Sequence, residues 1–371
     1  MPATTISETI AAPASPAHGR RDPRENVPVR PPFRLQELKE WIPAECFRPV
    51  LWKSFYYMAL DCLVVGALIW TAARIDAYWF WPIYAVLQGT MFWALFVIGH
   101  DCGHGSFSRN RRLNSLIGHI CHSPLLVPYH GWRISHRAHH TVHGDADREE
   151  TWYPMTESEY REMPAYVRLL RFTPMMLWLF PFYLWRRSPR HDGSHFHPGS
   201  GLFKAQEKWD VLTSTFWWCA MLGLLGWFAY EFGALALLQF YVGPYLVFVA
   251  WLDLVTYLHH SDPDVPWYRG EEWSFAKGAL SSMDRDYGVV NEIHHNIGTH
   301  VLHHLFINIP HYHLRRATEA LAPRLGDFYR EARLPFWSAF RRNSRTCHYI
   351  DDRSTTAYFR SDSPAGRSGK P

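Results

Sequence analysis

Charge is scarce in this sequence. Only 19% of its 371 residues are Asp, Glu, Lys or Arg, while 16% are aromatic and 18 are tryptophan. That balance excludes a highly solvated soluble chain and points to a body embedded in lipid. A mean hydropathy of −0.23 requires that a sizeable polar part lie outside the bilayer. Concentrated positive charge is missing as well: the formal net charge is +4 and the arginines are spread along the chain, which excludes a nucleic-acid groove. Paired cysteines are absent. Cys46, Cys62, Cys102, Cys121, Cys219 and Cys347 form no C-x-x-C, so neither a disulfide framework nor a zinc ribbon is expected; Cys62 and Cys219, in apolar segments, are expected to pack. No apolar core region occurs in residues 1–30, which are rich in Ala, Pro, Ser and Arg. This excludes a secretory signal peptide. Residues 1–31 are expected to form a disordered cytosolic tail, and the end from about Arg353 to Pro371 reads the same way.

Long apolar runs are present four times. A transmembrane helix needs about 20 mostly apolar residues, and Phe55–Ala72, Tyr78–Ile98, Val211–Tyr230 and Ala234–Leu258 meet that need as two hairpins. Gly243-Pro244 predicts a kink in the last. The pieces Leu113–Pro128 and Phe172–Trp185 are too short or too polar to span and read as interfacial or re-entrant helices. The two hairpin turns hold one arginine between them. By the positive-inside rule both termini and the long middle segment are expected on the cytoplasmic side. The predicted class is an all-α integral membrane protein: four transmembrane helices in two hairpins, interfacial helices and a cytoplasmic histidine-rich helical cap. The membrane domain spans 32–334, followed by a C-terminal extension over 335–371.

Histidine is what the chain has in excess. His100 and His104 follow the second span at i, i+4; His136, His139 and His140 stand at i, i+3, i+4; His300, His303 and His304 repeat that spacing. At these intervals each group projects from one helix face, and the span count brings all three to one side of the membrane. Imidazole is the commonest protein metal ligand. Eight exceed the needs of one ion, so two metals are expected. With only Cys102 inside a group, closed zinc sites are disfavoured, and an all-nitrogen di-iron site is the preferred reading. His260 or His259, closing the fourth span, is expected to add a ninth ligand. His294 is a further ligand candidate, while His295 reads as a ligand, a donor behind the ligands or a surface residue. His119, His122, His143, His311 and His313 read as structural or interfacial, and His191, His195 and His197 as unremarkable loop residues. Ligating rings commonly donate their other N–H to a carboxylate, for which Asp101, Asp145, Asp147, Glu149, Asp284, Asp286 and Glu292 are candidates.

The three groups, His-Asp-Cys-Gly-His at 100–104, His-Arg-Ala-His-His at 136–140 and His-Val-Leu-His-His at 300–304, resemble the histidine boxes of integral-membrane fatty-acid desaturases. The resemblance runs from about Pro32 to Leu334. It is closest to the omega-3 (delta-15) acyl-lipid branch, through Gly105-Ser106-Phe107-Ser108, Thr256–His260, Pro266–Arg269, Asp284–Gly288 and Asn291–His304 continuing to Tyr312. One departure is Glu149-Glu150-Thr151-Trp152, where such enzymes commonly show Asp-Glu-Ser-Trp. The resemblance implies two irons, O2 as co-substrate, an acyl chain from membrane lipid as substrate, and a separate electron donor of ferredoxin or cytochrome b5 type. The implied reaction is linoleoyl to alpha-linolenoyl. Delta-12 desaturation of oleoyl chains and membrane di-iron acyl or alkane hydroxylation are the alternatives. Trp132, Trp152, Trp267 and Trp273 are candidates to line or cap the acyl tunnel.

Overall fold

The computed structural model describes residues 31–186 and 193–362. The tail expected over residues 1–31 (all but the last), His191 and the extreme end from 363 lie outside the described residues. Among the described residues, four helices are long and apolar enough to cross a bilayer: α1 (Leu51–Ile75), α2 (Phe80–His104), α6 (Lys208–Phe232) and α7 (Ala234–His260). Each reaches beyond the apolar run that predicts it. The polar residues at their ends are themselves helical, so α2 carries His100 and His104 on its last turns and α7 ends on His259 and His260. Gly105, at φ 76°, then takes the left-handed conformation that closes α2, a backbone state open to glycine at no steric cost. Between the second and third spans lie α3 (Arg111–His122), capped by the Asn110 carboxamide on the Arg112 and Leu113 N–H groups, α4 (Tyr129–Val142) and the short α5 (Phe180–Trp185). After the fourth span come α8 (His300–Leu305), α9 (His311–Leu325) and α10 (Phe336–Thr346).

The spans divide into an inner and an outer pair. In its most apolar stretch α2 is 67% buried, against 11% for α1. The inner pair is α2 and α7: Phe92, Trp93, Phe96 and Val97 pack with Phe248, Val249, Leu252 and Val255 in the main core. Gly89 permits the close approach, since a Cβ there would strike the Val247 side chain and the Pro244 carbonyl. Just before Gly243-Pro244, where a kink is expected, the helix passes through a π turn over Leu238–Val242. Pro244 has no N–H to offer the Phe240 carbonyl; the Tyr84 hydroxyl of α2 donates to it instead, at 3.2 Å. On α1 and α6, Trp70, Leu63, Phe216 and Trp227 point outward, as lipid-facing side chains do. Cys62 and Cys219, expected to pack, lie on these outward faces and are exposed.

The chain beyond the fourth span folds back as a cap. Two-stranded pairings, Trp267–Tyr268 with Thr356–Ala357 and Asp284–Arg285 with Glu331–Ala332, tie its segments together. All six residues of α8 are buried. Its Val301, Leu302 and Leu305 share an apolar cluster with Leu38, Ile42, Leu314 and Leu321, which leaves the histidines to face the ends of the spans. The segment 353–362, expected to be unstructured, is packed: Ala357 and Phe359 are buried beside Trp267 and Ile350, and Tyr349 donates to Asp362.

Candidate metal centre

Nine histidines converge where α2, α4, α7 and α8 meet, in two clusters. The larger holds His100 and His104 from α2, His136 and His140 from α4, and His303 from α8. Their Nε2 atoms form a chain with steps of 3.2 Å (His104 to His100), 3.1 Å (His100 to His303), 3.1 Å (His303 to His140) and 3.1 Å (His140 to His136). In the smaller, the Nε2 atoms of His260, His300 and His304 stand 3.0 and 3.1 Å apart in that order. The His139 ring lies 4.7 Å from that of His260 and 5.0 Å from that of His304. The triplets therefore split. On α4 the i, i+4 pair serves the larger cluster and the i+3 ring the smaller; on α8 the assignment is reversed. The single helix face expected for each triplet is divided because i+3 and i+4 stand about 100° apart around the axis.

The remaining candidates fall elsewhere. His259 points away from its neighbour. Its Nδ1 donates to the Met283 carbonyl at 2.6 Å and its Nε2 meets the Tyr287 hydroxyl at 3.2 Å. Adjacent helix positions diverge by about 100°, so only His260 of the pair enters a cluster. His294 is wholly buried among Trp93, Trp251 and Tyr287, away from both clusters, and burial pushes its pKa down to about 3. His143, read as structural, sits beside His139 and His260; its nitrogens meet Glu149 Oε2 at 3.3 Å and the Ser281 carbonyl at 3.2 Å.

Among the carboxylate candidates, Glu149 touches a clustered ring: its Oε1 accepts from His139 Nδ1 at 2.9 Å, which leaves Nε2 of that ring as the available donor atom. Asp101 lies 3.7 Å from His100 Nδ1 and accepts from His311 Nδ1 at 3.0 Å. Asp284 accepts from the Val301 N–H, fixing the start of α8. Asp145, Asp147, Asp286 and Glu292 are engaged by Arg148, Arg269, Asn291 and Arg315 and touch no clustered ring. Asp61, in α1, was not singled out from the sequence. It receives His295 Nε2 at 2.7 Å, and a lone carboxylate inside an apolar span was the available signal.

These residues fit a pair of metal ions. A neutral imidazole carries one N–H, so rings whose protons sit on Nδ1 point bare Nε2 lone pairs at one another, an arrangement that needs a cation. Burial, with neighbouring imidazoles, holds His140, His300, His303 and His304 well below the ordinary histidine range, which keeps the lone pairs free. Nitrogens about 2.1 Å from one ion at right angles lie about 3.0 Å apart, matching the steps above. No thiolate takes part: Cys102 is buried in a separate apolar cluster with Ile117 and Cys121.

A cavity of about 480 Å³ passes both clusters. His100 and His136 from the larger and His139 and His300 from the smaller form part of its wall; Trp93, Phe96, Val97, Leu252 and Val255 line it within the membrane, and Phe180, Phe182 and Trp185 line it from α5. Trp132, stacked on His136 at 4.4 Å, and Trp152, whose indole N–H donates to Thr256 Oγ1 at 2.9 Å, are wall residues as expected. Trp267 and Trp273 are not: Trp267 packs against Phe359, and Trp273 donates to the His143 carbonyl.

Comparison with known proteins agrees with this architecture. The profile of the fatty acid desaturase family matches residues 77–339. The chain is 53% identical to an sn-1 acyl-lipid omega-3 desaturase (ferredoxin) of Nostoc sp. over 91% of this chain and 93% of that protein. It is 54% identical to one of the same description from Synechocystis sp. over 92% and 94%. An sn-2 acyl-lipid omega-3 desaturase (ferredoxin), chloroplastic, of Arabidopsis thaliana is 46% identical over 97% and 83%. The chain belongs to the fatty acid desaturase family and is an oxidoreductase of the membrane.

Proposed function

We propose that this protein is an omega-3 acyl-lipid desaturase that converts linoleoyl to alpha-linolenoyl chains. The observation that carries the reading is the apolar cavity walled by histidines of both clusters, since an acyl chain lying in it would pass beside the metal centre. The relatives named above, described as omega-3 and ferredoxin-dependent, support the position of the double bond and the donor.

The ligands are His100, His104, His136, His140 and His303 for one iron and His139, His260, His300 and His304 for the other. Imidazole suits iron, and with O2 and two external electrons the pair supplies the oxidant for C–H cleavage. The balance is one acyl –CH2–CH2–, O2, two electrons and two protons giving a cis –CH=CH– and two waters. The protein's own part is positioning and exclusion of water. Trp132 holds the His136 ring by stacking. Glu149 orients His139. The Trp152–Thr256 and Ser135–Tyr183 hydrogen bonds, at 2.9 and 2.7 Å, fasten the cavity wall to α7 and α4. Phe96, Val97, Leu179 and Val255 shield the acyl chain. The arginine distribution supports a cytoplasmic position for both termini and the metal centre.

The test is expression in a host that accumulates linoleate, followed by fatty-acid profiling. A new trienoic acid is expected. Dienes formed from oleate would reassign the enzyme to delta-12, and hydroxylated chains would replace desaturation by oxygen insertion. No new product, with protein, iron and reductant all present, would overturn the proposal.

A further inference from the structure

Of the nine clustered histidines, seven are buried and two, His104 and His136, keep solvent exposure. Both belong to the larger cluster, which is therefore the less enclosed of the two, His136 lining the cavity as well. The chain around the edge they form is chemically one-sided. From Cys102 to Gly144 it holds five arginines, Arg109, Arg111, Arg112, Arg133 and Arg137, and no aspartate, glutamate or lysine. The aliphatic part of Arg133 packs on Gly103, next to His104, and its guanidinium is held by Asp210 and His130. Arg137 stands one turn further along α4, exposed. Arg109, Arg111 and Arg112 follow directly from the Gly105 turn that ends α2. These three and Arg137 are exposed, and none has an acidic partner among the described residues. The acids facing this edge from α6 and the turn before it are Asp210, already paired, and Glu207.

We infer that Arg137 and the Arg109/Arg111/Arg112 group form the docking surface for a small acidic protein carrying a one-electron redox group, which delivers electrons singly through the His104–His136 edge. The inference rests on the desaturase reading, which requires an external donor. Four unpaired guanidinium groups leave charge to be neutralised by a partner, and such patches act chiefly on encounter and orientation. An anionic membrane surface offers the same charge but has no electron to deliver; Arg137 directly follows the ligand His136, and Arg109, in a groove with Lys39, Glu40 and Arg48, follows the helix end that carries His104.

The experiment compares the full chain in lipid nanodiscs with two variants, Arg137→Glu and the triple Arg109→Glu/Arg111→Glu/Arg112→Glu. The probes are a reduced plant-type [2Fe–2S] ferredoxin and, separately, a small chemical reductant. The expected result is a rise of about tenfold or more in half-saturating ferredoxin for either variant, with loss of the salt dependence seen in the wild type. Product formation with the small reductant and iron content stay unchanged. Half-saturation within about twofold of wild type in both variants overturns the surface, as does an equal loss with both reductants. Unchanged ferredoxin kinetics with weakened binding to anionic-lipid vesicles assigns the patch to the membrane and also overturns it. Wild-type protein that forms no product with either reductant overturns the desaturase reading itself.

Discussion

The two histidine clusters share α4 and α8, but α2 serves only the larger and α7 only the smaller. The larger takes i, i+4 pairs from α2 and α4 and one ring from α8, and two of its members reach solvent. The smaller takes one ring from α4, the last residue of α7 and the i, i+4 pair of α8, and all its members are buried. Their supports differ too. Glu149 meets a ring of the smaller cluster at 2.9 Å, while Asp101 stands 3.7 Å from the nearest ring of the larger and spends its hydrogen bonds on His311. The lesson is that a box in sequence is not a site in space. Each triplet is shared, so α4 and α8 each contribute rings to both clusters, and the enclosed cluster has the closer carboxylate support.

The sharpest way to break this comparison is to remove adjacent rings that serve different clusters. His303→Ala and His304→Ala are both expected to abolish desaturation, each losing about one of two irons, measured by product profile and metal analysis. Near-normal activity in either would refute the shared-site arrangement. A second test uses the neighbours that end α7. His260→Ala should match the loss in His304→Ala. His259→Ala should keep both irons while losing about 1–3 kcal/mol of stability from unpaired buried groups around Met283 and Tyr287, read by thermal unfolding; the reverse pattern would exchange their roles. Glu149→Gln should weaken iron binding about 10–100-fold at the smaller cluster and spare the larger, as titration with a chelator would resolve. Equal release from both clusters would show that the two supports do not differ. The smallest effects separate two residues of one loop. His197 is exposed, and His197→Ala should change stability by less than about 0.5 kcal/mol. His195 is buried and its Nδ1 donates to the Leu184 carbonyl, so His195→Ala should cost about 1 kcal/mol with iron content unchanged.

That last contrast also corrects the reading of the loop. His195 and His197 look alike in a Gly/Ser/Pro segment, yet the first is part of the core beneath Gly131 and beside the cavity residue Tyr183. The second was read correctly as peripheral. Similarly, the segment 353–362 has the composition of a tail, but its few apolar residues, Ala357 and Phe359, find a partner in Trp267. Composition reports how much apolar surface a segment has, not whether a complementary surface awaits it.

The sequence by itself determined the four spans, because crossing lipid requires an unbroken apolar run whose length is read directly. It also determined the eight box histidines as a group, since helical spacing and span count are local properties. Only the tertiary structure decided how those eight are shared between two clusters, which residue of His259–His260 joins them, and that His294 stays apart. Those outcomes depend on helix rotation and on distances between residues up to 203 positions apart, such as His100 and His303. A pattern along the chain fixes which way a ring points relative to its own helix. It does not fix how that helix is turned toward the next, which is set by packing such as Gly89 against Val247 and Val301 against the capping core.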